Sequence, residues 1–180
     1  MSTSIDIMID VETLGVKHSR VPMFQIGWCV FNRTKILNQG LIHLNLLDVI
    51  LKTGFMPDPD TVKWWQKQKY DPHHNDVRHL WGGLADLSAV WTQYSPKRVW
   101  ANSPAFDMEV IKNHLHAIGE EPFWRHNQEM DYRTTRKLSI DLGWVEVEED
   151  IGNNHNAMDD AVNQTRHLMG LLDAADMNYK

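Results

Sequence analysis

Two acidic residues interrupt the first apolar segment of the chain, whose sequence over residues 5–15 is IDIMIDVETLG. Asp10 and Glu12 are two positions apart, so in a β-strand both side chains lie on the same face. Two carboxylates held close together repel each other, and one must take up a proton unless a cation lies between them. Oxygen ligands of this kind are typical of Mg²⁺ or Mn²⁺ sites. The pair by itself is equally compatible with an exposed strand end that carries two unrelated acids.

Three residues later in the chain favour a shared site. Asp107 lies in the first turn of a predicted helix, where the helix dipole favours a carboxylate and where open α/β sheets place functional groups. His155 and Asp160 bracket the start of the last predicted helix. Taken singly, Asp107 is an ordinary acid at a helix start and His155 an ordinary loop residue. The joint pattern of four acids and one histidine predicts a cation-binding site.

Strands and helices must position these residues. Apolar segments predict strands at 5–11, 23–31, 36–46, 97–102 and 129–130. Helical spacing of apolar residues predicts helices at 45–53, 60–69, 76–94, 103–119 and 157–173. In the fourth of these helices, Ser103 is expected to be the N-cap and Pro104 to lie in the first turn. The order of elements predicts an α/β fold, a mixed five-stranded sheet with helices on both faces.

The length and apolar content of the chain fit a single domain over residues 1–180. The N-terminus has no basic stretch followed by an apolar one, and no segment approaches the roughly 20 apolar residues that span a bilayer. We therefore expect a soluble, cytoplasmic protein that does not contact membranes. Cys29, the only cysteine, lies in an apolar segment and is expected to be buried rather than to act as a nucleophile.

The formal net charge of −6 argues against a general attraction to nucleic acid. This argument weakens if several of the acids bind divalent cations, which would cancel much of the local negative charge. Basic residues gather in KWWQKQK (63–69) and RTTRK (133–137). The sequence leaves open whether these stretches contact phosphates or form solvated helix faces.

Three short motifs resemble those of the DnaQ-like 3′-to-5′ exonucleases of the DEDDh group, in the ribonuclease H-like superfamily. They are Asp-x-Glu-Thr at 10–13, Asn-x-x-x-Phe-Asp at 102–107 and His-x-Ala-x-x-Asp at 155–160. Their order and spacing match, and the resemblance covers nearly the whole chain. Longer stretches such as DPDTVKWW (58–65) and DYRT (131–134) are similar to a phage and bacterial branch. That branch includes phage DexA-type exonucleases, exodeoxyribonuclease VIII-like proteins and bacterial Rv2179c-like exoribonucleases, which together degrade both DNA and RNA.

The resemblance implies a ribonuclease H-like fold and a site in which four acids hold two divalent cations, Mg²⁺ or Mn²⁺. The four acids are Asp10, Glu12, Asp107 and Asp160. In such sites one ion activates the attacking water and the other stabilises the leaving 3′ oxygen. His155 is then the expected general base, since histidine titrates near neutrality. The implied partner is a nucleic acid with a free 3′ end, the product is a nucleoside 5′-monophosphate, and a homodimer stays open.

Five further residues are candidate substrate contacts. They are Leu14, Trp64, Trp65, Asn102 and Arg133. Leu14 follows the first motif, where related enzymes wedge a side chain against the terminal base, or it packs within a loop. Trp64 and Trp65 point about 100° apart on a helix, so one is expected in the core and the other to stack on a base. Arg133 either reaches a phosphate or is solvated, with Asp131 capping the following helix.

Two other functions fit parts of the pattern. A phosphatase with an Asp nucleophile also carries an acid after an apolar strand, but it needs a second Asp where Glu12 stands and leaves the motif at 155–160 unexplained. A catalytically silent protein of the same fold would bind nucleic acid or a partner protein. Loss of catalysis normally removes motif acids, whereas all of them are present. The sequence therefore favours a 3′-5′ exonuclease, with DNA and RNA both open as substrates.

Overall fold

The computed structural model describes residues 4–68, 77–143 and 155–178, with side chains described up to residue 175. The strands are β1 (Asp6–Thr13), β2 (Met23–Phe31), β3 (Ile36–Leu44), β4 (Val77–Arg78), β5 (Arg98–Ala101) and β6 (Glu129–Asp131). The helices are α1 (Leu46–Thr53), α2 (Pro59–Lys67), α3 (Leu80–Tyr94), α4 (Asp107–Ala117), α5 (Tyr132–Asp141) and α6 (Ala157–Asn178). The predicted helix ends at residues 69 and 76 lie outside the described residues.

The strands form one mixed sheet in the order β4-β3-β2-β1-β5-β6. The first three strands are antiparallel neighbours, whereas β4, β5 and β6 each pair in parallel. Short turns suffice for the antiparallel meander, while parallel strands need long crossover connections, and the helices supply these. Strand β1 therefore lies in the middle of the sheet, between an antiparallel and a parallel neighbour.

Helices cover both faces of the sheet, as the sequence predicted. Odd-numbered residues of β1, such as Ile7 and Ile9, join a core with α1, α3 and α4. Met8 points to the opposite face and joins a second core with Trp100 and residues of α5 and α6. The alternation follows from the period of two in a strand, so β1 is apolar on one face and carries its acids on the other.

The sheet has six strands, where the sequence predicted five. The additional strand β4 pairs with the end of β3 through Val77 and Arg78, residues that helical spacing had placed at the start of α3. Helix α3 begins only at Leu80, whose backbone N–H donates to Oδ2 of Asp48 at 2.8 Å. The sequence prediction was wrong here because Val77 continues the apolar spacing of α3 although its backbone is extended.

Helix α4 also begins later than predicted. Ser103 is not its N-cap: the Ser103 carbonyl accepts from the N–H groups of Phe106 and Asp107 at 2.8 and 3.0 Å, which forms a turn before the helix. The first helical residue is Asp107 itself. Its placement in the first turn was predicted correctly, although the cap was not.

The remaining elements follow the predicted order with small shifts at their ends. Strand β1 continues to Thr13, so Asp10 and Glu12 lie within the strand, and α6 continues to Asn178. Cys29 is buried as expected, and burial raises the pKa of its thiol to about 11. Over the described ranges, we find no helix long and apolar enough to cross a bilayer.

Candidate active site

The acids of the first motif lie on the central strand. Asp10 pairs across the sheet with Gly27 and Glu12 with Gln25, both on β2. Their side chains lie on the same face of β1 as that of Met8, which packs against α6. The strand therefore presents two carboxylates to the first turn of α6.

Helix α6 begins unusually close to the sheet. A Cβ atom at Gly27 would lie 2.0 Å from the carbonyl carbon of Ala157, so only glycine permits this approach. The side chain of Gln25 accepts a hydrogen bond from the backbone N–H of Ala157 at 3.2 Å. Gly27 and Gln25 therefore hold the start of α6 against β2, next to the positions of Asp10 and Glu12 on β1.

The first turn of α6 holds the third motif in place. Asn156 is the capping residue, because its Oδ1 accepts from the backbone N–H groups of Met158 and Asp159 at 3.1 and 3.2 Å. His155 adopts a positive φ of 66°, which is uncommon outside glycine. Its backbone N–H donates to Oδ2 of Asp160 at 3.2 Å. This local geometry turns the exposed histidine and the acid of the same motif toward each other.

Glu12, His155 and Asp160 form the tightest group of the site. One ligand atom of each lies within 4.8 Å of the others. Two of these residues come from the two ends of the third motif and the third from β1, so the cluster exists only after α6 has docked on the sheet. Asp160, which the motif spacing selects, is thus the acid that reaches Glu12.

The four motif acids interact strongly with one another. Burial raises the pKa of Asp10 well above its usual value, and the negative charges of Asp107, Glu12 and Asp160 raise it further, against a lowering hydrogen bond. Burial raises the pKa of Glu12 to about 8, with added repulsion from Asp160 and Asp107. Without a cation, the cluster therefore retains protons near neutral pH.

Asp107 is buried, but hydrogen bonds and a nearby cation partly offset the effect of burial on its carboxyl. Burial raises the pKa of its carboxyl to about 6, while backbone hydrogen bonds and the positive charge of Arg133 lower it. One of those bonds comes from the N–H of Ser103, which donates to Oδ2 of Asp107 at 3.2 Å. Another comes from Val11, between the two acids of β1, so α4 and the central strand meet at this carboxylate.

The donor set fits divalent cations such as Mg²⁺ or Mn²⁺. Four carboxylates and one imidazole converge, and oxygen ligands dominate, as these hard ions require. Burial, with added repulsion between the acids, raises the pKa values of Asp10 and Glu12, and bound cations would favour the ionised carboxylates. The positive charge of Arg133 lowers the pKa of Asp107. Arg133 is exposed and lies on α5.

A cleft of about 480 Å³ opens beside the acids. Glu12 and His155 line it, together with the aromatic side chains of Trp64, Trp65 and Phe106. The ring of Trp64 meets that of His155 edge to face, with centroids 4.7 Å apart. The cleft thus combines the acid Glu12 with aromatic side chains, and aromatic side chains can stack on the base of a nucleotide.

The two tryptophans of α2 have different environments, as expected from their spacing. Trp65 is buried, packs against Phe24 and donates from Nε1 to the carbonyl oxygen of Thr13 at 3.0 Å. Trp64 is 38% exposed and lines the cleft. Trp65 is therefore the core residue and Trp64 the ring available to a ligand, a distinction the sequence left open.

The other three candidate substrate contacts differ in how far they are buried. Leu14 is buried with Phe24 and Trp65, which favours the packing alternative over a wedge. Asn102 is half-buried at the end of β5, beside the turn that leads to Asp107. Asp131 caps α5, because its side chain accepts from the N–H of Thr134 at 2.7 Å. Arg133 is exposed, and its positive charge lowers the pKa of Asp107.

The sequence analysis missed Gly27, Gln25 and Gln164. Gly27 carried a detectable signal, because an isolated glycine within a strand often marks a close approach of another backbone. Gln164 donates from Nε2 to Oδ1 of Asp10 at 2.9 Å, a contact between residues 154 positions apart. No local pattern signals the roles of the two glutamines.

A family model described as the 3′-5′ exoribonuclease Rv2179c-like domain matches residues 5–172. No curated protein matches the sequence. The match extends over all three motifs and every described strand.

Solved structures of exonuclease I are similar in fold. A complex with the inhibitor BCBP has a TM-score of 0.65 at 14% identity, covering 98% of this chain and 42% of that one. A structure described as suggesting how processivity is achieved has a TM-score of 0.66 at 15% identity, covering 97% and 41%. The E. coli enzyme with a dA16 oligonucleotide has a TM-score of 0.61 at 16% identity, covering 94% and 41%. The chain thus spans about two fifths of the length of these proteins.

Proposed function

The chain belongs to the Rv2179c-like family of 3′-5′ exoribonuclease domains, and from this membership we propose that it shortens single-stranded nucleic acid from the 3′ end. The proposed reaction is hydrolysis with two divalent cations, releasing nucleoside 5′-monophosphates. The ions are Mg²⁺ or Mn²⁺.

One observation carries the proposal: residues from three distant motifs converge, and their carboxylates repel one another. Glu12, His155 and Asp160 have ligand atoms within 4.8 Å of each other, and the pKa values of Asp10 and Glu12 are raised by burial and by neighbouring acids. Such repulsion destabilises the fold without a cation. It is readily explained if the site is built to hold positively charged ions.

The acids and the histidine take different roles. The four motif carboxylates, Asp10, Glu12, Asp107 and Asp160, would hold the ions. When bound, two such ions activate the attacking water and stabilise the leaving 3′ oxygen. His155 takes a proton from the attacking water as general base. Its exposed position at the edge of the cleft, beside Glu12 and Asp160, leaves the imidazole accessible to water and substrate.

The cleft supplies the contacts to the 3′-terminal nucleotide. The exposed ring of Trp64 lines it and would stack on a base, since aromatic faces bind bases with little sequence preference. Arg133 acts electrostatically on Asp107 and would pair with a backbone phosphate. Asn102, beside the second motif acid, is a further candidate contact. The family description favours RNA over DNA as the substrate.

The proposal is tested with 5′-labelled single-stranded RNA and DNA of identical sequence, incubated with Mg²⁺, Mn²⁺ or EDTA. We expect a metal-dependent ladder that shortens from the 3′ end, with RNA cleaved faster. Asp160→Asn should abolish the ladder, whereas the matched control Asp159→Asn, one residue away, should retain it.

Three results would contradict the proposal. Cleavage in EDTA would show that the reaction needs no metal ion. Retained cleavage by Asp160→Asn would show that Asp160 is not a required metal ligand. Binding of the oligonucleotides without cleavage under any metal would favour the catalytically silent alternative. Faster cleavage of DNA would reverse only the substrate preference. A homodimer, which the resemblance leaves open, is decided separately by sedimentation equilibrium.

A further inference from the structure

Gln164 is an uncharged side chain in contact with the acidic cluster, and it lies outside the three motifs. We propose that Gln164 is a positioning residue, which fixes the carboxylate of Asp10 in the orientation needed to hold divalent cations. The inference rests on the proposed function, because it assigns Asp10 to the metal-binding site.

The contact is direct and comes from the helix that also supplies Asp160. Nε2 of Gln164 donates to Oδ1 of Asp10 at 2.9 Å. Gln164 follows Asp160 by four positions, about one turn of α6, so both residues lie on the same face of that helix. The helix therefore brings one acid to the cluster and one hydrogen-bond donor to the acid opposite.

The chemical type of the donor matters at this position. Asp10 is surrounded by the charges of Asp107, Glu12 and Asp160, so its carboxylate is repelled from several directions. A lysine or arginine in place of Gln164 would neutralise Asp10 and repel incoming cations. A neutral amide fixes one oxygen of Asp10 and leaves the charge of the carboxylate for the ions.

The other end of the amide gives independent support. Oε1 of Gln164 is buried and has no hydrogen-bond partner among the residues that the structure describes. Rotating the amide by half a turn would place this acceptor against the carboxylate of Asp10, so the observed orientation is the favourable one. A buried acceptor left unpaired is unfavourable for stability, which is expected for a functional residue rather than a merely structural one.

Hydrogen-bond partners of metal ligands typically contribute about 10- to 100-fold to metal affinity or activity. We therefore measure Mn²⁺ binding to the full chain by electron paramagnetic resonance, and the rate of cleavage as a function of Mn²⁺ concentration. Gln164→Met preserves the length and volume of the side chain and removes the donor. We expect it to raise the half-saturating Mn²⁺ concentration about 10- to 100-fold in both measurements.

The matched control is Thr165→Val, a buried neighbour on α6 whose side chain contacts Cys29. It removes a polar group of similar burial from the same helix and should leave the Mn²⁺ dependence unchanged. Thermal unfolding of all variants reports any general loss of packing. If Gln164→Met does not fold, Gln164→Asn replaces it, because this shorter amide cannot span the distance to Asp10 and should show the same shift.

The outcomes separate the two proposals. Unchanged Mn²⁺ binding by a folded Gln164 variant would overturn the positioning role and leave the exonuclease proposal intact. A lower unfolding temperature with unchanged Mn²⁺ dependence would likewise reduce Gln164 to a packing residue. Absence of Mn²⁺ binding by the unmodified protein, together with absence of cleavage in Mg²⁺ or Mn²⁺, would overturn both proposals together.

Discussion

At its N-terminal end β1 buries Asp6, and further along, the same face of the strand carries Asp10 and Glu12. Asp6 is 2% exposed, accepts hydrogen bonds from Nε of Arg98 and Nε1 of Trp100, and forms an ion pair with Nη2 of Arg98 at 2.8 Å. Its negative charge is thus compensated by a cation and a neutral donor. Asp10, in contrast, is surrounded by other acids and bonded to the neutral Gln164.

The difference teaches how to distinguish a structural acid from a functional one. Both ends of β1 withdraw carboxylates from water, fully at Asp6 and partly at Asp10 and Glu12, and loss of hydration by itself is unfavourable for each. At the Asp6 end the protein supplies the compensating charge, so the interaction completes the fold. At the Asp10 end the described residues place four acids together, and Arg133 acts on one of them, Asp107; the proposed divalent cations would supply the compensating charge.

The largest expected difference between the two ends concerns catalysis. Asp10→Ala should reduce the rate of 3′ cleavage by about 10³-fold or more, because a ligand of the proposed ions is lost. The free energy of unfolding without metal should not fall, since one repelling carboxylate is removed. Single-turnover cleavage and urea denaturation measure the two quantities. Mg²⁺-dependent cleavage at the normal rate would contradict the assignment of Asp10.

His155→Ala should have the next largest effect. Loss of a general base typically slows a reaction by about 10²- to 10⁴-fold. Because His155 is exposed, stability should change little. The rate at saturating Mg²⁺ is compared with that of His126→Ala, a replacement of a histidine on the short 3₁₀ turn before β6. An unchanged rate at neutral pH would mean that another group takes the proton.

Asp6→Ala should show the opposite pattern. Removing one partner of a buried ion pair leaves the other without compensation, which typically destabilises a protein by about 3 kcal/mol. Arg98 is 31% exposed and partly hydrated, so the loss should lie at the low end of the usual range. Cleavage per folded molecule should be unchanged. A selective loss of activity in a fully folded variant would show that the Asp6 end also serves the site.

The pH dependence of stability should sharpen the comparison further. The pKa of Glu12 is about 8 in the folded state and near its usual 4.5 in the unfolded chain, so the folded state holds the extra proton between these values. Stability without metal should therefore fall as pH rises from about 4.5 to 8, by up to about 1.4 kcal/mol per pH unit. Saturating Mg²⁺ should reduce the fall, because the ions replace the proton.

Glu12→Gln is the control for this experiment. His114 is buried, and burial lowers its pKa to about 4, so its own contribution to stability increases with pH between about 4 and 6.5. The difference in unfolding free energy between the unmodified protein and Glu12→Gln removes this opposing effect. If that difference is independent of pH, the pKa of Glu12 is not raised in the folded protein.

Much of the fold could be predicted because its signals are local. The bounds of β2 match the apolar segment at 23–31, and α1 ends at Thr53, followed by Gly54, whose φ of 68° suits a C-cap glycine. The prediction was wrong where local signals conflict with tertiary pairing. Val77 continues a helical pattern, but its pairing with His43 on β3 makes it extended.

The residue types and spacing of the three motifs determined which acids and which histidine to consider, because chemistry and spacing are properties of the chain itself. Only the tertiary structure decided how they meet: Gly27 admits the start of α6, Gln164 reaches Asp10, and Trp64 rather than Trp65 is the exposed ring beside the cleft. These contacts join residues far apart in sequence. Their burial and mutual repulsion arise only when the helices pack on the sheet, so the charge balance of the site is a property of the folded protein.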